Sequence, residues 1–220
     1  MKLNKLLPLR VASDGESSSG KSTAAKLISK KYKLFCMNSG LLFRYASFLI
    51  LKNKPKKIIP FLKKKFKDLN YKNTTKLNLH SQEISSHVAI LAKQKKVRKI
   101  IRLFQKKIIK KYPRICCEGR DQASTILNKN PRYDVAFYFK CNLNTASLRR
   151  WRDLKRKVPL SEVKKSLRIR TQLDKKRRHN PLKKMTDAVL IRTDILSKKG
   201  MVTKMSKEIE KKLLFKWKKL

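Results

Sequence analysis

Acidic residues are scarce in this chain. It carries 14 Asp and Glu against 60 Lys and Arg, for a formal net charge of +46. Glycine is scarce too, at 5 in 220 residues, so a motif that uses two of them closely spaced stands out. The 4 cysteines, Cys36, Cys116, Cys117 and Cys141, show no Cys-x-x-Cys spacing, which excludes a zinc ribbon and a dithiol redox motif. Three of them fall in apolar strand-like runs and read as buried, reduced thiols. His80, His87 and His179 are scattered without metal-ligand spacing. No apolar run approaches membrane-spanning length, and the apolar stretch of MKLNKLLPLR at the N-terminus is too short for a signal peptide. The expectation is a soluble cytoplasmic protein with no membrane partner.

So large a positive charge ordinarily points to a nucleic acid or an anionic surface. Here it is mostly Lys, spread along the chain and accompanied by many Ile and Asn, all residues with A/T-rich codons. Charge distributed in this way bears on solubility and non-specific binding, not on fold. No aromatic RNA-recognition pattern and no zinc finger accompany it, so no specific nucleic-acid partner is expected. A length of 220 residues suits one α/β domain with inserted subdomains.

What is present begins with Gly15–Ser22, GESSSGKS, a full match to the phosphate-loop pattern Gly-x-x-x-x-Gly-Lys-Ser/Thr. Leu9, Val11 and Ala12 before it suit a buried strand, and Thr23-Ala-Ala-Lys-Leu-Ile after it suits a helix. A loop opening onto a helix N-terminus aims free N–H groups and the positive end of the helix dipole at one spot. Gly15, Glu16, Ser17, Ser18, Ser19, Gly20, Lys21, Ser22 and Thr23 are therefore the candidate ATP-binding residues. Lys21 is placed to reach the terminal phosphates, and the Ser22 hydroxyl to bind a bridging Mg2+.

Further strands are expected at Lys33–Met37, Arg114–Glu118, Asp134–Cys141 and Ala188–Arg192. Helices are expected at Leu41–Leu51, within Glu83–Lys111, at Asn144–Lys157 and at Leu196–Trp217. In Glu83–Lys111 an apolar stripe runs through Ile84, Val88, Leu91, Val97, Ile101 and Phe104. Lys52–Lys76 is rich in Lys, Asn and Pro and poorly periodic, and reads as an exposed insertion outside the core. Strands alternating with helices imply a parallel sheet covered on both faces, with ligands beyond the carboxyl ends of its strands. The phosphate loop, Ser39 and Arg120 fall at that edge.

Transfer to a hydroxyl or to water calls for a base or an orienting group, whereas transfer to a phosphate oxygen calls for cations that bring two anions together. Arginine suits the second task, because its fork binds phosphate bidentately and keeps its charge. Arg44 follows Ser39 by five residues in a helix, Arg120 follows a glycine at a strand end, and Arg170 and Arg177 flank Asp174.

Taken in order, these segments resemble the bacterial cytidylate kinase family of nucleoside monophosphate kinases. VASDGESSSGKST is similar to that family's IDGPxGxGKxT, and NSGLLFR at Asn38–Arg44 to its DSGAxYR. EGRDQAST at Glu118–Thr125 is similar to (E/D)GRDMGT, and RTQLDKKR at Arg170–Arg177 to RxxxDxxR. The stretch from Asn180-Pro-Leu to Thr186-Asp-Ala-Val-Leu-Ile resembles PL…ADALxxD. The resemblance implies Mg2+-assisted transfer from ATP to CMP or dCMP, giving CDP or dCDP. The implied fold is a three-layer αβα phosphate-loop fold on a five-stranded parallel core sheet. One kinase domain over 1–220 would carry a monophosphate-binding insertion near 52–96 and a lid near 155–180, in a protein that is typically monomeric.

By matching position, the resemblance makes Lys21, Arg120, Arg170 and Arg177 the catalytic residues. Ser39, Arg44, Arg98, Arg120, Asp121, Arg170, Asp174 and Arg177 would bind the acceptor, with Arg98 on the cytosine edge. Arg149 and Arg150 are further candidates for neutralising charge in the transition state. The chain departs from the family at Asn38 (usually Asp), at Phe43 (usually Tyr), at Gln122-Ala123-Ser124 (usually Met-Gly-Thr) and at Ala89, where the family's cytosine-contacting Ser falls. Ser86 lies one helical turn from Ala89. Two other readings stay open: a kinase for UMP or dTMP, and a basic phosphate-loop ATPase that binds nucleic acid.

Overall fold

The computed structural model describes residues 7–218. The reading of the N-terminal segment falls largely on residues 1–6, outside the described residues. The chain divides into two compact units, one formed by the chain up to Met37 and from Tyr112 onward, the other by Asn38–Lys111.

The first unit carries the sheet. Its strands are β1 (Leu9–Gly15), β2 (Phe35–Asn38, ending at the boundary), β3 (Arg114–Gly119), β4 (Val135–Lys140) and β5 (Val189–Arg192). They form a five-stranded parallel sheet in the order β2-β3-β1-β4-β5. β1 lies at the centre, paired with β3 from Leu9↔Arg114 to Asp14↔Gly119 and with β4 from Val11↔Val135 to Gly15↔Phe139. Most residues of β1, β3 and β4 are buried, as expected for strands covered on both faces.

One face of the sheet supports α1 (Lys21–Tyr32) and, from the end of the chain, α9 (Lys198–Trp217). Ala24, Ala25, Ile28 and Tyr32 follow helical spacing on α1 and meet Leu9, Val11, Cys116, Phe137 and Phe139 of the strands. Met201, Met205, Ile209 and Leu213 of α9 complete that core. A smaller cluster joins Cys141 and α7 (Leu143–Asp153) to Val163 and Leu167 of α8 (Leu160–Lys176). α8 is rich in Lys and Arg, and those two apolar residues anchor it. All four cysteines are free thiols: Cys116, Cys117 and Cys141 are buried, and Cys36 is half-buried.

The second unit is helical: α2 (Ser39–Asn53), α3 (Ile58–Lys67), α4 (Tyr71–Thr75), α5 (Gln82–Leu91) and α6 (Lys95–Lys111). The side chain of Asn38 caps α2 by accepting from Leu41 N–H at 3.0 Å. All six stripe residues expected between Glu83 and Lys111 are buried, on two helices. The expectation for Lys52–Lys76 is corrected: it holds α3 and α4, and Leu62, Phe66, Tyr71 and Thr74 are buried. Phe66 meets Phe104 of α6 and Tyr45 of α2 edge-on, with ring centroids 5.7 and 6.0 Å apart. Leu62 and Phe66, four residues apart, supply a narrow apolar stripe that the surrounding lysines obscure in the sequence.

Candidate active site

The phosphate loop occupies the turn from β1 into α1, where the glycines are needed for specific reasons. A Cβ on Gly15 would lie 2.4 Å from the Phe139 carbonyl oxygen of β4. Gly20 caps α1 at φ 74°, in the left-handed region. Within the loop, Ser19 donates to the Glu16 carbonyl at 2.8 Å, and Thr193 Oγ1 donates to the Ser19 carbonyl at 3.0 Å. Ser17 and Ser19 are buried, whereas Ser22 and Thr23 are exposed on the first turn of α1.

Lys21 folds back over the loop and donates to the Glu16 carbonyl at 3.0 Å. It is buried, 3.7 Å from Glu118 Oε1 at the end of β3. Burial, reinforced by the nearby charge of Arg120, pushes its ammonium down to about 7, with Glu118 opposing. An incoming phosphate would reverse that balance, since anionic oxygens beside Lys21 favour its charged form.

Beside the loop stands a cluster of charged side chains from β3 and α8. Arg120 donates from Nε to Asp174 Oδ2 at 2.8 Å and from Nη2 to Ser17 Oγ of the phosphate loop at 3.1 Å. Arg177 Nη2 lies 3.4 Å from Asp121 Oδ1, and its Nη1 lies 3.5 Å from Asp174 Oδ1. Burial raises the Asp174 carboxyl, but Arg120, Arg170 and Arg177 outweigh it, so the net shift is downward. Lys175 reaches Glu16 Oε1 of the loop at 2.7 Å. Arg120, Asp121, Arg170, Asp174 and Arg177 therefore gather around the phosphate loop within one unit, with Arg170 close enough to act on both Lys21 and Asp174.

A family model for cytidylate kinase matches residues 11–211. The chain belongs to the cytidylate kinase family. It is 30% identical to the cytidylate kinase of Mesomycoplasma hyopneumoniae (strain 7448), over 93% of this chain and 95% of that protein. It is 28% identical to the cytidylate kinase of Clostridium botulinum (strain Okra / Type B1), over 94% of this chain and 100% of that one. Among solved structures, an uncharacterized protein from Eubacterium ventriosum ATCC 27560 superposes with a TM-score of 0.53 at 15% identity, covering 93% of this chain and 99% of that one. TT1252 from Thermus thermophilus also gives 0.53 at 15% identity, covering 94% of this chain and 98% of that one, and these two likenesses speak to fold alone. Membership makes the chain a nucleotide kinase, a phosphotransferase.

Of the remaining site candidates, Ser39, Arg44 and Arg98 lie in the second unit. All three are buried. Arg44 Nη1 donates to the Leu79 carbonyl and to Ser85 Oγ, each at 2.9 Å. Arg98 lies over the Phe43 ring, 5.4 Å from its centroid, and donates to the Ala92 carbonyl at 3.2 Å. The departure at Phe43 thus leaves an aromatic face for that arginine. In α5, Ser86 and Ala89 are both exposed, and Ser85 is the serine that meets an arginine. Arg149 donates to Thr193 Oγ1 at 3.0 Å and to its carbonyl at 2.6 Å, and Thr193 in turn holds the loop at Ser19. Arg150 is half-buried on the same helix.

Four residues escaped the sequence reading. Ser85 and Thr193 carry no local signal, since each acts through a partner far along the chain. Glu118 lies one residue before the end of β3, and its place in the site shows only through Lys21 of the loop, 3.7 Å away. Its Oε2 is buried without a hydrogen-bond partner among the described residues, so the donor set fits a magnesium ion. Among the described residues no group of three His, Cys, Asp or Glu could hold a metal. Mg2+ in such sites relies instead on one or two protein oxygens, substrate phosphates and water. Asp14 is the fourth: it is 2% exposed at the end of β1, and burial pushes its carboxyl up to about 7 against the opposing Gln122 and Ala123 N–H groups. Among the described residues no helix is long and apolar enough to cross a membrane.

Proposed function

We propose that this chain transfers the γ-phosphoryl group of ATP to CMP and dCMP. An anhydride bond to ADP breaks as one to the acceptor phosphate forms, giving CDP or dCDP. The observation that carries this reading is the fork of Arg120, held within hydrogen-bond reach of Ser17 in the phosphate loop, with Arg177 joined to it through Asp174. Cations placed there suit a second anion next to the one the loop holds. An acceptor that is itself a phosphate needs no general base, which agrees with a site rich in arginine.

In this reading the loop N–H groups and Lys21 hold the ATP phosphates, and Arg120 and Arg177 neutralise charge on the transferring and accepting oxygens. Arg170 and Asp174 serve the ribose and the moving phosphate. Arg44, seated by Leu79 and Ser85, and Arg98, on Phe43, would engage the acceptor phosphate and the cytosine edge, and Ser39 would cap the acceptor. Magnesium would be held by the Ser22 hydroxyl with the Glu118 carboxylate directed toward it. When bound, it would supply positive charge that offsets the charge of the phosphates.

The test is a purified-protein assay with ATP, Mg2+ and each nucleoside monophosphate in turn, read by coupled ADP release. CMP and dCMP are expected to be the preferred acceptors over UMP, dTMP and AMP. Equal rates with CMP and AMP would remove the cytidine assignment.

A further inference from the structure

Arg120 and Asp121 sit on a short stretch whose direction is not set by β3 alone. β3 ends at Gly119, and a π-helical turn starts at Gln122 and runs to Ile126. The first N–H groups of any helical turn lack partners within it. Here Gln122 N–H donates to Asp14 Oδ1 and Ala123 N–H to Asp14 Oδ2, each at 2.8 Å. Both oxygens of one carboxylate are thus spent on adjacent backbone donors 108 and 109 residues away in sequence.

The other end of the stretch is equally tight. A Cβ on Gly119 would lie 2.5 Å from Gln122 Nε2, so the chain folds closely over the glycine. Asp14 is opposite Gly119 in the β1–β3 register and precedes Gly15, the first residue of the phosphate loop. A single strand end therefore holds the loop on one side and the Arg120 turn on the other.

A carboxylate is an expensive choice for a site this dry. Burial opposes its charge, Asp121 adds repulsion, and Arg120 gives back only part. Charge-assisted bonds to two backbone donors are what make an ionised group there tenable.

We propose that Asp14 is a positioning residue for phosphoryl transfer: by clamping the Gln122 and Ala123 amides it aims Arg120 and Asp121 beside the phosphate loop. This role rests on the kinase reading above, but the clamp itself can be tested without substrate. Asp14→Asn keeps the shape and replaces one acceptor oxygen with a donor facing an N–H.

Native-state hydrogen exchange of the wild-type chain should show the Gln122 and Ala123 amides protected, and in Asp14→Asn that protection should fall by about tenfold or more. Turnover with CMP should drop about tenfold to a hundredfold while ATP affinity, measured by binding, stays within about twofold. In an Arg120→Ala background the same change should cost less than about twofold, because the residue it acts through is gone. Unprotected amides in the wild type, unchanged protection in Asp14→Asn, or full additivity with Arg120→Ala would overturn the proposal. A wild-type chain that exchanges as expected but ignores CMP would remove the substrate reading and leave the clamp intact.

Discussion

The phosphate loop and the Arg120 cluster stand side by side but are made by opposite means. The loop is local: eight consecutive residues, two obligatory glycines and a helix start create an anion cradle mostly from backbone. The cluster is assembled from Arg120 and Asp121 after β3 and from Asp174 and Arg177 around the end of α8, 54 residues apart in the Arg120–Asp174 pair. Its geometry belongs to side chains, and each is held by another charge. A cradle of backbone donors is present once the turn forms, whereas a cradle of arginines must be kept from collapsing or repelling. Asp174, which meets both Arg120 and Arg177, fills that need.

Removing one member of each region gives the largest expected effect. Lys21→Ala and Arg120→Ala should each lower kcat with CMP by roughly 100-fold or more, the order found on removing a transition-state donor, as read by coupled ADP release. Wild-type turnover from Arg120→Ala would reduce the cluster to a surface ion network.

The local nature of the loop is tested next by Gly15→Ala. The added methyl has no room against β4, and the change should cost about 2 kcal/mol in a chemical denaturation series, as overpacking does. A stability equal to the wild type would mean that β1 and β4 can separate freely at that edge.

A smaller effect is expected from Asp174→Asn, which keeps the packing and removes the charge shared by the arginines. Acceptor kcat/KM should fall about tenfold, and a double-mutant cycle with Arg177→Ala should return a coupling of about 1 kcal/mol. Strict additivity would show that Asp174 and Arg177 act independently. Smallest of all is Lys175→Ala. Its partner Glu16 is largely covered but Lys175 is 46% exposed, so losing the pair should shift stability by less than about 1 kcal/mol. A shift well beyond that in thermal unfolding would make this contact a principal tie between α8 and the loop.

The same contrast explains how much could be read without coordinates. GESSSGKS announces its own geometry, and the strands around Val11, Cys116 and Phe137 show through as apolar runs. The chemistry of arginine and its placement singled out Arg120, Arg170 and Arg177, the resemblance added Asp121 and Asp174 as site residues, and the structure gathers all five beside the loop. Lys52–Lys76 misled because lysines flank Leu62 and Phe66 so densely that the four-residue spacing is lost. Asp14 stands out in no local pattern, since nothing in SDG reveals that its carboxylate meets Gln122 and Ala123. Ser85, and not Ser86, meets Arg44, because the facing of a helix is decided by the partner it packs on.

By itself, the sequence determined what spacing encodes within a turn or two: the phosphate loop, the β-α alternation and the helical stripe from Ile84 to Phe104. Chain physics makes these local, because backbone geometry and side-chain periodicity depend on near neighbours. The strand order β2-β3-β1-β4-β5, the pairing of Asp14 with the Arg120 turn, and the carboxylates that hold the arginines apart were decided only in the tertiary structure. Each depends on register between segments about a hundred or fifty residues apart, and a one-residue slip in a strand would turn the same side chain to the opposite face.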